Sequence, residues 1–410
     1  MHIMVVNVFF APHSYGGATV VAEGVAQSLA QRHGVQVTAI SAIARDDLPA
    51  YAVVRAEARG ILSLMINLPP NRGYVQHYSN SEVAERVDGI ARDLEPDLVH
   101  LHCLQELGAD MIPRLKARGL PVVLSTHDYW WLCERQFMMR PDGRWCGQDP
   151  VRVSSCRGCA EDLSRAELRT GALASMAHAA DLITAPSAYS AGLHLRSGFG
   201  EGRMRVWQNG VRPPRPGFFE AQAARRAADP RPVFGFVGGP SAMKGWPEIR
   251  GAFTGLSDAG FRGELVDASL DGNWWTGIDP SPMAGEWSVV PRYDPACADD
   301  FYAGIDVLLF PSQWPETFGL TVREALARGI RVIQTGAGGA AEHGAPDAVR
   351  MLPPGAGPKA LRAAVQAELA RDARGTDPVP QHSIDDQADA FLSLVRPLVP
   401  RDVLALRNVA

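Results

Sequence analysis

The chain is poor in cysteine, with six thiols among 410 residues. That excludes a small scaffold held together by disulfides. Long apolar runs are also missing: no stretch approaches the ~18–20 residues a helix needs to cross a bilayer. The opening, "MHIMVVNVFF", lacks the basic flank and small-residue cleavage site of a secretory leader and reads as a first strand. The expected compartment is therefore the cytosol, where thiols stay reduced. A strong excess of one charge is absent too. A net charge of −5 argues against a nucleic-acid partner, although a local basic face leaves room for peripheral contact with the inner face of a membrane. No Asp-x-Asp pattern stands out to hold a divalent metal.

What is present is ordinary for a globular protein: 46% apolar and 21% charged residues. The length exceeds one core, so two domains are expected. Short apolar runs alternate with helical spacers. "IMVVNVFF" is followed by Val21, Val25 and Leu29 on one helix face, then by "VQVTAIS", "DLVHLH", "PVVLSTH", "DLITAPS" and "MRVWQNG". Such alternation predicts an α/β fold, with parallel sheets covered by helices on both faces. Residues 212–232, rich in Pro, Arg and Ala, read as a linker between domains at 1–211 and 233–385. After it the series restarts with "VFGFVGG", "GELVDAS", "WSVVPRY", "DVLLFPS" and "IRVIQTG". Two doubly wound domains facing each other make a central cleft, and the chemistry is expected in loops at the carboxyl ends of the strands. The tail 386–410 has helical spacing and is expected to pack across either domain.

The most informative stretch is "PSQWPETFGLTVREALARG". A strand ends, Glu316 follows, and a helix is expected to begin near Thr317 or Phe318. Its unpaired amides, with Gly319 among them, form an anion site suited to phosphate. Glu324 lies further along by roughly 9 Å at helical rise, where a carboxylate can accept hydrogen bonds from a ribose. At the first strand-to-helix turn, Gly16 and Gly17 let backbone amides approach a phosphate or an acceptor. His100 and His102 alternate on one strand and share a face. They are read as core and cleft-wall packing, with paired metal ligation as the other option. Cys103 points the other way and is expected to be buried.

The "Glu, seven residues, Glu" pattern around Phe-Gly-Leu, between "DVLLFPS" and "EALARGIRVI", resembles retaining glycosyltransferases of family 4. The "GG", "STHD", "APS", "NGV" and "KG" elements appear in that family's order, so the resemblance covers most of the chain. It implies the GT-B fold, two Rossmann-like domains, the first for the acceptor and the second for a nucleoside-diphosphate sugar. Carried over, Glu324 binds the ribose. The backbone of Thr317, Phe318, Gly319 and Leu320 meets the phosphates or the sugar, and Glu316 lies by the donor sugar. His127 faces that sugar near its reacting carbon, without acting as a general base, while Asp128 caps or orients the loop. The family places an Arg soon after the first strand of the second domain and a Lys about five residues later. Lys244 is present, but the Arg position falls at Gly239. The amides of Gly238 and Gly239, or Arg292, are the substitutes considered. No catalytic divalent metal is implied. The acceptor is expected to be a polysaccharide, lipid-linked or similar glycan. The alternative is a GT-B-shaped nucleotide-sugar-binding or scaffold protein with little transferase activity.

Four of the six cysteines gather in "CERQFMMRPDGRWCGQDPVRVSSCRGC": Cys133, Cys146, Cys156 and Cys159. In a reducing compartment such a cluster points to metal more than to disulfides. One C-x-x-C knuckle and two single thiols suffice for a tetrahedral structural zinc, favoured here over an iron–sulfur cluster. Arg135, Arg140, Arg144, Arg152 and Arg157 interleave the thiols and give this insertion a basic face. The insertion resembles those in a subset of bacterial family-4 enzymes from polysaccharide clusters. The lobe is therefore read as a metal-tied knot on the acceptor side.

Overall fold

A computed structural model describes residues 1–257, 260–371 and 374–399. By internal contacts the chain divides into two units. The first comprises Met1–Phe137, Gly147–Gly210 and the described residues from 384 on; the second comprises Met138–Cys146 and Val211–Ser383.

The first unit contains β1 (His2–Val6), β2 (Gln36–Ile43), β3 (Val53–Ala58), β4 (Ile61–Asn67), β5 (Leu98–Leu101), β6 (Val122–Ser125), β7 (Leu182–Ala185) and β8 (Met204–Val206). They form one sheet in the order β3-β4-β2-β1-β5-β6-β7-β8. Strands β1, β5, β6 and β7 are buried along their whole length, as expected where helices cover both faces of a parallel sheet. The order reverses at β1, which pairs with β2 on one side and β5 on the other. Loops leaving β1, β5 and β6 thus lie at the switch point where open α/β sheets bind ligands.

Only β3 against β4 is antiparallel in this sheet. The segment "GILSLMIN" is mostly β4. Its turn, Arg59 and Gly60, has φ values of 55° and 76°. Two successive positive values make the hairpin turn whose twist matches the strands. An Arg at the first position hides that signal.

The helix Ile384–Val395 returns to the first unit and lies along the helix Gly17–His33. Gly24 makes room for it, since a Cβ there would sit 2.9 Å from Ile384 Cδ1. Ser28 Oγ donates to Asp385 Oδ1 at 2.6 Å, and the Gly210 amide donates to Gln387 Oε1 at 2.7 Å. The tail expected to be helical from residue 386 is thus part of this unit up to 399; its remainder lies outside the described residues.

The second unit contains β9 (Val233–Phe236), β10 (Arg262–Asp267), β11 (Glu286–Pro291), β12 (Val307–Phe310), β13 (Arg331–Thr335) and β14 (Val349–Leu352). The order is β11-β10-β9-β12-β13-β14, all parallel. Phe234 and Phe236 belong to one core cluster with Trp246 and Phe253, and Val233 to another with Tyr302 and Val322, following the period-2 alternation of a strand. The switch point falls between β9 and β12. Residues 212–232, expected as a linker, hold the helix Phe218–Ala228. Phe218 joins the second core, and Arg225 pairs with buried Asp306 at 2.7 Å. Ala and Arg are strong helix formers, a signal that the flanking prolines masked.

Candidate active site

In the second unit, the loops after β9 and β12 meet. Glu316 is buried, and its Oε1 accepts from Lys244 Nζ at 2.7 Å and from Ser312 Oγ at 2.7 Å. The Lys244 ammonium also lies 5.5 Å from the centre of the Trp314 ring. The Glu316 carbonyl accepts from the Gly339 amide at 2.7 Å. Gly338, at φ 70°, is compelled to be glycine, because a Cβ would collide with that same carbonyl oxygen.

The helix after Glu316 runs Leu320–Ala327, starting later than expected from sequence. The reason is Gly319, which caps it in a left-handed conformation at φ 78° and so cannot belong to it. Thr317 and Phe318 therefore sit in the approach loop. Buried Arg323 ties this loop to the next one. Its guanidinium donates to the Phe318 carbonyl and, at 3.1 Å each, to those of Gly339 and Glu342. It also covers the Phe318 ring at 3.7 Å. Burial pulls its pKa down to about 10. Glu324 is half-buried one turn into the helix, and its Oε2 accepts from Tyr302 Oη at 2.8 Å. Burial raises its pKa above the usual carboxylate value.

The position of the family's arginine is now explained physically. Gly239 has φ 64°, and a Cβ there would lie 2.6 Å from Trp274 Cε3. An indole fills the space that an arginine stem would need. Lys244 is left as the nearby cation on this loop.

In the first unit, Gly16 caps the helix Gly17–His33 at φ 83°; both glycines are exposed. Buried Asn7, at the end of β1, accepts from the Cys103 amide at 3.0 Å and donates to Thr19 Oγ1 at 3.1 Å. Burial raises the Cys103 thiol well above its ordinary pKa, which keeps it protonated. Asp128 orients the loop after β6. It accepts from the Trp130 amide at 2.8 Å, from Gln105 at 3.0 Å and from Gln136 at 2.6 Å. Even with these three donors, burial lifts its pKa to about 6.

His127 Nε2 lies 2.8 Å from Nδ1 of buried His102. His100 sits beside His102, with ring centres 4.0 Å apart. Burial pushes His127 down to about 4 and His100 to about 3, and lowers His102 well below its ordinary value. All three rings are neutral at pH 7. In the unfolded chain they take up protons below ~6.5, so between about pH 4 and 6.5 the unfolded state binds more protons. Stability therefore rises with pH across that window. The urea midpoint of the protein is expected to fall from pH 7 to pH 5, and to fall less steeply in His100→Asn; an equal slope would remove His100 from the set.

The zinc expectation is not supported. Among the described residues, no group of three or more His, Cys, Asp or Glu is placed to hold a metal ion. Cys133, Cys156 and Cys159 belong to the first unit and Cys146 to the second. The five interleaved arginines are all exposed. Lys244, Glu316, Gly319 and Glu324 do share one unit, with the last three on a single loop and helix. Ser312, Tyr302 and Arg323 were missed: a lone Ser, Tyr or Arg beside a motif carries no periodic or spacing signal.

Two doubly wound units with such loops at their switch points have the GT-B fold of glycosyltransferases. Residues 15–215 match the model described as Glycosyltransferase Family 4, and residues 286–371 that described as Glycosyl transferases group 1. Together with the fold, these matches support a glycosyltransferase of the family 4/group 1 type. No curated protein matches the sequence. Among solved structures, the chain is similar to a sucrose-phosphate synthase from Thermosynechococcus elongatus, with TM-score 0.66, 18% identity, and coverage of 99% of this chain and 96% of that one. It is also similar to Anabaena HepE in complex with UDP and glucose, with TM-score 0.59, 18% identity, and coverage of 96% and 94%. A third is trehalose-6-phosphate from E. coli bound with UDP-2-fluoro glucose, with TM-score 0.60, 13% identity, and coverage of 97% and 96%.

Proposed function

We propose that the protein is a retaining glycosyltransferase that moves a sugar from a nucleoside diphosphate to a polysaccharide, lipid-linked or similar glycan acceptor. The observation that carries this reading is the Lys244–Glu316 pair at 2.7 Å beside a glycine-capped helix N-terminus. Such a site sets a cation and a helix dipole where a diphosphate develops charge as the bond to the sugar breaks. UDP with glucose in one solved structure and UDP-2-fluoro glucose in another support the same donor class.

Under this reading Lys244 and the amides following Thr317 stabilise the leaving diphosphate, so no divalent metal is required for it. The diphosphate oxygen leaves the anomeric carbon while the acceptor hydroxyl attacks the same face, passing its proton to the departing phosphate. Glu316 holds Lys244 in place and borders the sugar. His127 hydrogen-bonds a hydroxyl of the transferred sugar. Glu324 accepts from the ribose.

The test is nucleoside-diphosphate release across UDP-, GDP- and dTDP-sugars, with the product anomer read by NMR. Release of one nucleotide with retained configuration is the expected result. Tight nucleotide binding without turnover on any donor would instead support a scaffold. Glu324→Ala is expected to weaken donor affinity about 10–100-fold, the worth of charge-assisted hydrogen bonds. Calorimetric titration checks this, and unchanged affinity would displace the ribose from Glu324.

A further inference from the structure

The insertion that carries the cysteines also places a hairpin against the loop of Lys244. Met138–Cys146 belongs to the second unit, as do residues 238–244. The Arg140 amide donates to the Arg144 carbonyl at 2.7 Å, and the Cys146 amide to the Met138 carbonyl at 2.9 Å. Met139 and Trp145 bridge antiparallel between these two pairs. The turn "RPDG" closes where the Gly143 amide donates to the Arg140 carbonyl at 3.0 Å. Gly143 has φ 80°, the left-handed bulge position of a three-residue hairpin loop. This turn packs on the site loop: a Cβ on Gly143 would lie 3.8 Å from Ala242 Cβ, two residues before Lys244.

Arg140 and Arg144 are directly opposed across the hairpin, so their side chains share one face. Met138 shares that face by the period-2 rule and is 1% exposed. The face is therefore buried at its base and carries both exposed arginines at its tip. Like charges set opposite each other are destabilising. Asp142 relieves this little: one oxygen lies 3.8 Å from Arg140 Nε and the other accepts from the Arg144 amide at 3.1 Å. Among the described residues, the Arg144 guanidinium has no hydrogen bond or ion pair. The neighbouring loop has the opposite shortage. Lys244 is already paired with Glu316 at 2.7 Å, and Trp274 fills the space beside Gly239, where the resembling family carries an arginine. A diphosphate brought there lacks a planar fork able to take its oxygens two at a time.

We infer that Arg144, with Arg140 opposite it, grips the diphosphate of the donor in place of the arginine that position 239 cannot hold. The inference rests on the reading of the Lys244–Glu316 site as the diphosphate site, and goes beyond it by giving this hairpin a ligand. Calorimetric titration of the full chain with UDP, GDP, dTDP and inorganic pyrophosphate is the test. Arg144→Gln is expected to weaken the best-bound nucleotide and pyrophosphate about 10–100-fold, the scale of charge-assisted contacts. Arg144→Lys, which keeps the charge but not the fork, is expected to recover part of the loss. The dependence of affinity on salt is expected to flatten in Arg144→Gln, which a change in packing alone would not do. Arg157→Gln, at an exposed arginine of the same insertion but in the first unit, is expected to stay within about twofold, as surface substitutions away from a site do. A folded Arg144→Gln that binds every probe as the native protein does, or a native protein that binds none of them, overturns the inference. Sugar transfer that survives unchanged in Arg144→Gln overturns it too and leaves the transferase reading standing. Pyrophosphate held through Arg144 by a protein that turns over no sugar nucleotide upholds it and rejects the transferase reading instead.

Discussion

Glu316→Gln is expected to lower sugar transfer by about 10²–10³-fold, comparable to removing one preorganised charge-stabilising contact from an active site. The carboxylate accepts from both Lys244 and Ser312 at 2.7 Å, so it fixes the ammonium rather than merely neutralising it. Glutamine keeps the volume and one acceptor oxygen but loses the charge that makes the lysine contact strong. The loss is expected in kcat more than in donor affinity, because the contact matters most when the diphosphate is leaving. Initial rates with the best donor check this, alongside an unfolding curve. A folded variant retaining activity within about threefold would remove Glu316 from the reaction.

The second large effect is on stability. Asp299→Ala is expected to cost about 3–5 kcal/mol, because it strands a buried cation. Arg328 and Asp299 side chains are 2% and 6% exposed and lie 2.6 Å apart. Asp299 also accepts from the Arg215 amide at 2.7 Å, so its loss loosens the segment leading into the helix Phe218–Ala228 as well. Arg328 donates to the Glu324 carbonyl at 3.1 Å, and the damage therefore reaches the helix that carries Glu324. Replacing both partners with apolar residues, Asp299→Leu with Arg328→Met, is expected to recover much of the loss. Urea denaturation decides: a single-variant cost below about 1 kcal/mol would contradict a desolvated pair.

Much of this fold could be read from the sequence because parallel strands buried on both faces are continuous apolar runs. β1, β5, β6, β9 and β12 all announce themselves this way. What escaped was structure whose cause lies in backbone geometry or distant partners. The β3–β4 hairpin turns on an Arg in a positive-φ position. The helix Phe218–Ala228 is apolar only at its start and depends on Asp306, far along the chain, for its arginines. The start of the site helix shifts because Gly319 is left-handed, which composition does not reveal. Within the site, Glu316, Glu324 and Lys244 stood out through spacing and resemblance. Tyr302 and Ser312 did not, since each matters only through the carboxylate it touches. The cysteine cluster stood out through nearness in sequence alone, and among the described residues no group of three or more His, Cys, Asp or Glu is placed to hold the metal it suggested.

The return of the helix Ile384–Val395 to the first unit bears on how the protein is made. The first unit is encoded in three pieces, and the main part of the second unit, Val211–Ser383, lies before the last of them. On a ribosome, domains acquire structure in the order they emerge. Here the later unit has all its residues available before the earlier one does. Until Phe391 is translated, the face of His100 that it covers stays open, and Trp207 lacks the Gln387 carbonyl it donates to at 3.0 Å. The histidine layer beneath His127 is thus among the last parts of the molecule to be completed, and a stalled chain would carry an assembled second unit with the first still unfinished.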